Sequence, residues 1–102
     1  MIVPHALVLS NGVRLLVGHA PHAGTCSVAV FVRWGSVNES PRTNGIGHVL
    51  EHMAFKGTLV EDAVGQRVRD ARQVNLEAER LGAEVNAHTD KDHTAFYMRG
   101  LP

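Results

Sequence analysis

The stretch "CSVAVFVRWGS", residues 26 to 36, constrains the fold more than any other part of the chain. Val28, Val30, Val32 and Trp34 fall on one side of an extended backbone, and Ala29, Phe31 and Arg33 fall on the other. β-Branched and aromatic side chains fit a pleated surface and lose rotamer freedom in a helix. Both sides are largely apolar, so the stretch predicts a central strand in a sheet covered on both faces.

The neighbouring segments fill in the architecture. "ALVLSNGVRLLVGHAP" reads as a hairpin about Asn11-Gly12, a pair suited to the positive φ angles of a two-residue turn. "NESPRTN" is a polar loop in which Thr43 or Asn44 can cap a helix beginning near Gly45, with Gly57 ending it in a left-handed conformation. A second helix is expected from about Gln66 to Leu81, since Ala71, Val74, Ala78 and Leu81 recur at helical spacing before Gly82. "AEVNAHT" and "TAFYMRG" read as two further strands joined through Asp90-Lys91-Asp92. Strands and helices are segregated, so the expected fold class is α+β, a mostly antiparallel sheet packed on helices. At 102 residues, the chain has room for a single domain spanning 1–102.

Composition removes several function classes. Ten basic residues balance ten acidic ones, leaving no electrostatic excess for nucleic acid. A hydrophobic share of 44% places the chain among globular proteins rather than disordered ones. No apolar run is long enough to span a bilayer, and no charged-then-apolar leader opens the chain. The single cysteine, Cys26, cannot form an intramolecular disulfide; it fits a reducing compartment such as the cytoplasm and is expected to be a buried structural thiol.

The chemistry concentrates in His48-Val49-Leu50-Glu51-His52. On a helix, His48 and His52 lie one turn apart on one face, so both imidazoles can reach one ion. Glu51 stands beside them, placed to take a proton from a zinc-bound water without binding the metal itself. The pattern is the inverted form of the H-E-x-x-H arrangement. A shuffled chain of the same composition would contain it about 0.03 times, and helix histidines at this spacing are also met as ordinary solvated side chains.

The surroundings add weight. "WGSVNES" before the helix, "GHVLEHMAFKGT" on it and "ARQVNLEAERLGAEVNAHTDKDHTAFY" after it resemble the pitrilysin/insulysin family of zinc metallopeptidases, from the first hairpin to about Tyr97. The resemblance implies Zn2+ as cofactor, with His48 and His52 as metal ligands and Glu51 as general base. It implies a pitrilysin-like half-domain, with Asn86 and Ala87 on an edge strand whose backbone pairs with an extended peptide substrate. In the family the third zinc ligand is a glutamate on a later helix, beyond position 102, and a second homologous domain or subunit closes over the substrate. The chain is accordingly expected to be an N-terminal part, weakly active or inactive alone, which associates as a homo-oligomer or with a complementary subunit of the family. The alternative is a non-catalytic peptide-binding or assembly module.

"LVEDAVGQRVRD" looks like an insertion relative to the family's short link, and Arg67, Arg69 and Arg72 within and after it are expected on a solvated helix face. Glu77 lies on the second helix, and spacing does not settle whether it faces the first. His19 and His22 belong to an exposed loop. His88 and His93, which flank the Asp90-Lys91-Asp92 turn, are candidates for extra ligands.

Overall fold

Strand β1 (Pro4–Val8) pairs antiparallel with β2 (Arg14–Gly18) in the computed structural model, which describes residues 2–62 and 65–102 apart from the side chains of Val60, Glu61, Asp62, Gln66, Arg67 and Val68. The turn between them is one residue longer than the Asn-Gly pair predicts. Gly12 N donates to the Leu9 carbonyl at 2.9 Å, and Leu9 N donates to the Val13 carbonyl at 2.8 Å. Gly12 alone takes a positive φ, 86°, while Asn11 spends its Oδ1 on the Val13 N–H. A three-residue loop of this kind puts its glycine in the left-handed position that closes the bulge.

The central sheet has the order β3 (Cys26–Val32), β7 (Thr94–Gly100), β6 (Glu84–Thr89), antiparallel throughout. Here β7 is the central strand. Contrary to expectation, β3 lies at an edge among the described residues, and its apolar sides are open: Val28 is 57% and Val30 58% exposed. Alternation along the strands reflects a need for cover, not the number of paired neighbours, and so cannot separate a central strand from an edge strand whose faces are apolar. The register sets Val32, Thr94 and Thr89 in one row, and Phe31, Ala95 and His88 in the next. Successive rows point to opposite faces. Cys26, expected to be buried, is exposed at the start of β3.

Helix α1 (Ile46–Met53) packs on β6. Neither Thr43 nor Asn44 caps it. The Glu39 carboxylate does so from the preceding loop, accepting from Gly45 N at 2.7 Å and Gly47 N at 2.8 Å. An anion across the free N–H groups at a helix start also suits the helix dipole. At the other end Ala54 keeps helical angles, tight turns follow to Lys56, and Gly57 opens a strand instead of closing the helix.

Helix α2 (Ala71–Arg80) is shorter than predicted. The insertion forms an antiparallel pair, β4 (Gly57–Asp62) with β5 (Gly65–Asp70), so residues 66–70 are strand rather than helix. Asp70 then caps α2 through Gln73 N at 2.9 Å, and the Gln73 side chain returns a bond to Asp70 N at 3.0 Å. This reciprocal box fixes the start that apolar spacing alone left open. Gly82 N donates to the Glu79 carbonyl and Ala83 N to the Ala78 carbonyl, a Schellman ending at the predicted glycine. Arg69 leaves β5 to pair with Glu77 at 3.0 Å.

Two features describe the packing as a whole. A 3₁₀ turn at Ser36–Asn38 lies against the β6–β7 connection, with Ser36 N on the Asp90 carbonyl and Val37 N on the Lys91 carbonyl. Gly35 makes that approach possible, because a Cβ there would lie 2.3 Å from the Lys91 backbone. The accessible surface is 8651 Å², whereas a compact monomer of this mass exposes about 5,700 Å². Ala95 is the one fully buried apolar residue among those described, and Ile46, Val49, Leu50 and Met53 of α1 are all exposed. Apolar faces that would form a core lie open.

Candidate metal centre

Helix α1 carries both histidines of the motif to one side. Their Nε2 atoms stand 2.8 Å apart and the rings are 4.7 Å between centroids. Two ring nitrogens at that distance cannot both carry a proton, so at least one lone pair is directed into the space between them. Both side chains are open to solvent. The helix is anchored for this task at its N-terminus by Glu39 and along its packed face by Gly47, which is buried beside Trp34 and Thr89.

Glu51 faces β6 and is half-buried. The Thr89 hydroxyl donates to its Oε2 at 2.5 Å. That bond fixes the carboxylate's orientation and leaves Oε1 free of a side-chain hydrogen bond among the described residues. Thr89 and Glu39 both escaped the sequence reading. Thr89 sits in a predicted strand with nothing to mark its partner, and Glu39 sits in a loop several residues from the helix it caps. The helix-start rules point only to residues next to the cap.

A cleft of about 510 Å³ opens beside the helix, walled by His48 and Glu51 on one side and Ala87, His88 and Thr89 on the other. Strand β6 forms that second wall. It pairs with β7 along one side, and among the described residues no strand pairs with its other side. Asn86 and Ala87 both lie in this edge strand, and the Ala87 N–H is taken by Asn86's own Oδ1 at 2.8 Å. An outward N–H satisfied by a neighbouring side chain is available to a peptide that displaces that side chain.

The donor set fits zinc in kind. Two imidazole nitrogens converge, and imidazole is a preferred zinc ligand. It falls short in number: among the described residues no group of three or more His, Cys, Asp or Glu side chains converges as a complete shell would. His88 and His93 do not join His48 and His52; they meet each other, their Nε2 atoms 3.2 Å apart. His19 and His22 stay in their exposed loop.

Residues 14–102 match the profile of the insulinase family, peptidase family M16. The chain belongs to that family. It is 43% identical over 93 residues to the mitochondrial-processing peptidase subunit beta of Lentinula edodes, covering 91% of this chain and 18% of that protein. An uncharacterized zinc protease, YmxG, of Bacillus subtilis is 37% identical over 91 residues, covering 89% and 20%. The fold is that of a protease from Helicobacter pylori, with a TM-score of 0.82 and 26% identity across 99% of this chain and 22% of the other. The chain thus spans about a fifth of the length of the curated relatives it matches. Its membership of a peptidase family and its α+β half-domain architecture agree with the resemblance read from the motifs.

Proposed function

We propose that this peptidase-family chain, as the single domain 1–102, supplies the zinc-holding and proton-transferring part of a metalloendopeptidase acting on extended peptides. The observation that carries the reading is the convergence of the His48 and His52 Nε2 atoms, 2.8 Å apart, on the helix that also presents Glu51. His48 and His52 are the residues that would hold the ion, with water or a carboxylate from outside the described residues completing its shell. Zinc held there would polarise a peptide carbonyl and lower the pKa of a water toward neutrality.

Glu51 is the general base. Its carboxylate accepts the proton of the attacking water and returns it to the leaving amine. Thr89 keeps that carboxylate turned to the cleft and does not itself touch the reacting atoms. The peptide lies along β6 as an added strand, taking the Ala87 N–H from Asn86. Specificity then rests on alternate side chains of the peptide, while the backbone bonds are indifferent to sequence.

The same chain alone is a weak peptidase. Two protein ligands hold zinc less firmly than the three usual in catalytic sites. The open apolar faces of β3 and α1 are surfaces for a second polypeptide, a complementary subunit or another copy, and the relative from Lentinula edodes is itself named as a subunit. The incomplete shell among the described residues also favours a second reading, a peptide-binding or assembly module without catalysis.

Glu51→Gln separates them. With zinc present, a fluorogenic-peptide assay should show measurable hydrolysis by the parent chain, lost in the variant, while zinc binding is retained. No hydrolysis by the parent at any protein concentration, together with saturable peptide binding, would support the module.

A further inference from the structure

The β6–β7 turn holds a second pair of histidines, which the peptidase reading does not use. His88 is the last residue but one of β6 and His93 immediately precedes β7, so the β6–β7 turn brings them together. Their Nε2 atoms are 3.2 Å apart. Zinc bonds of about 2.0–2.1 Å at a tetrahedral angle separate two nitrogens by about 3.3 Å. The free spacing is therefore already close to that of a chelate.

The other nitrogen of His93 is fixed as well. Its Nδ1 lies 2.8 Å from the Asp92 Oδ1. An ionised carboxylate only accepts, so Nδ1 of His93 is the donor and, in the neutral ring, Nε2 carries a lone pair. That is the tautomer a metal requires, held by the carboxylate–histidine arrangement common behind metal-bound imidazoles. His88 then donates its Nε2 proton to His93. The rings are edge-on, 5.3 Å between centroids, and Phe31 and Tyr97 stand 6.0 Å from His93 and 6.2 Å from His88 respectively. Ala95, the row-mate of His88, is buried beneath them.

We propose that His88 and His93, with Asp92 orienting His93, form a second binding site for a late first-row divalent transition-metal ion, separate from the His48–His52 pair. Imidazole donors select zinc, copper or nickel over magnesium or calcium. Binding moves the His88 proton from Nε2 to Nδ1, a tautomer change with no net proton released. Water completes the shell, so the site is weaker than a full structural one. An ion there also pins the β6–β7 turn, whose Asp90 and Lys91 carbonyls receive the 3₁₀ turn and whose Thr89 reaches Glu51.

The test uses Zn2+ and a chain carrying His48→Ala and His52→Ala together, so its outcome does not depend on the proposed catalytic site. Calorimetric titration should show one zinc bound per chain, lost with His88→Asn or His93→Asn, and weakened about 10- to 100-fold by Asp92→Asn. In the unmutated chain, imidazole ¹⁵N spectra should show His93 protonated at Nδ1 before zinc and His88 moved to that form after it. A double variant that binds no zinc, or whose binding survives loss of His88 and His93, overturns the proposal. So does a His88 ring whose tautomer ignores zinc.

Discussion

Thr89 in β6 donates its hydroxyl to the Oε2 of Glu51 in α1 at 2.5 Å, joining residues 38 positions apart in sequence. A hydrogen bond to a charged partner contributes about 1.5–3 kcal/mol. If it orients the base, Thr89→Val should lower kcat for peptide hydrolysis about 10- to 100-fold. KM and zinc affinity should stay unchanged, because neither depends on where the carboxylate points. A variant that loses zinc as well as turnover would make Thr89 a general support of the helix instead.

Glu39 accepts from both Gly45 N and Gly47 N, and its removal should loosen the first turn of α1. Loss of a helix cap costs about 0.5–2 kcal/mol, and a two-point charged cap belongs at the upper end. Glu39→Ala should speed amide exchange at Gly45 and Gly47 about 10-fold or more, with Glu39→Gln intermediate. Unchanged exchange at both amides would place the helix's anchor elsewhere.

Gly35 sits where a Cβ would come within 2.3 Å of the Lys91 backbone. Unlike a clash with a flexible side-chain tip, this one moves a chain segment. Gly35→Ala should part the 3₁₀ turn from the β6–β7 connection at a cost of about 1–3 kcal/mol. Denaturant titration checks the cost. Exchange at Ser36 N and Val37 N, which bond to Asp90 and Lys91, checks the location.

Much of this was legible in the sequence because it is local. His48 and His52 share a face through helical spacing alone, and Gly82 ends α2 where the glycine stands. The misreadings have a common origin in contacts distant along the chain. Gln66–Asp70 lack the turn signal and apolar run that mark a strand, and only pairing with β4 makes them one. The Val28–Val32 alternation gave the strand but not its place, since β7 supplies the central pairing from the far end of the chain. Glu39 and Thr89 meet their partners only once α1 lies on β6.

The β6 edge makes its own demand. A peptide that adds to this strand takes the Ala87 N–H now held by Asn86 Oδ1. Titration with an extended, Pro-free peptide should shift the Ala87 amide proton and the Asn86 carboxamide protons together in NMR spectra. Binding that leaves both unmoved would put the peptide somewhere other than β6.

The most direct test of the metal centre is zinc binding by equilibrium dialysis in a His88→Asn background, where the second histidine pair is absent. That chain should bind one zinc. Adding His48→Ala or His52→Ala should abolish the binding, and adding Glu51→Gln should leave it intact, because the proposed base is not one of the ligands. Zinc retained after loss of either histidine, or lost with Glu51→Gln, would contradict the assignment of two ligands and one base.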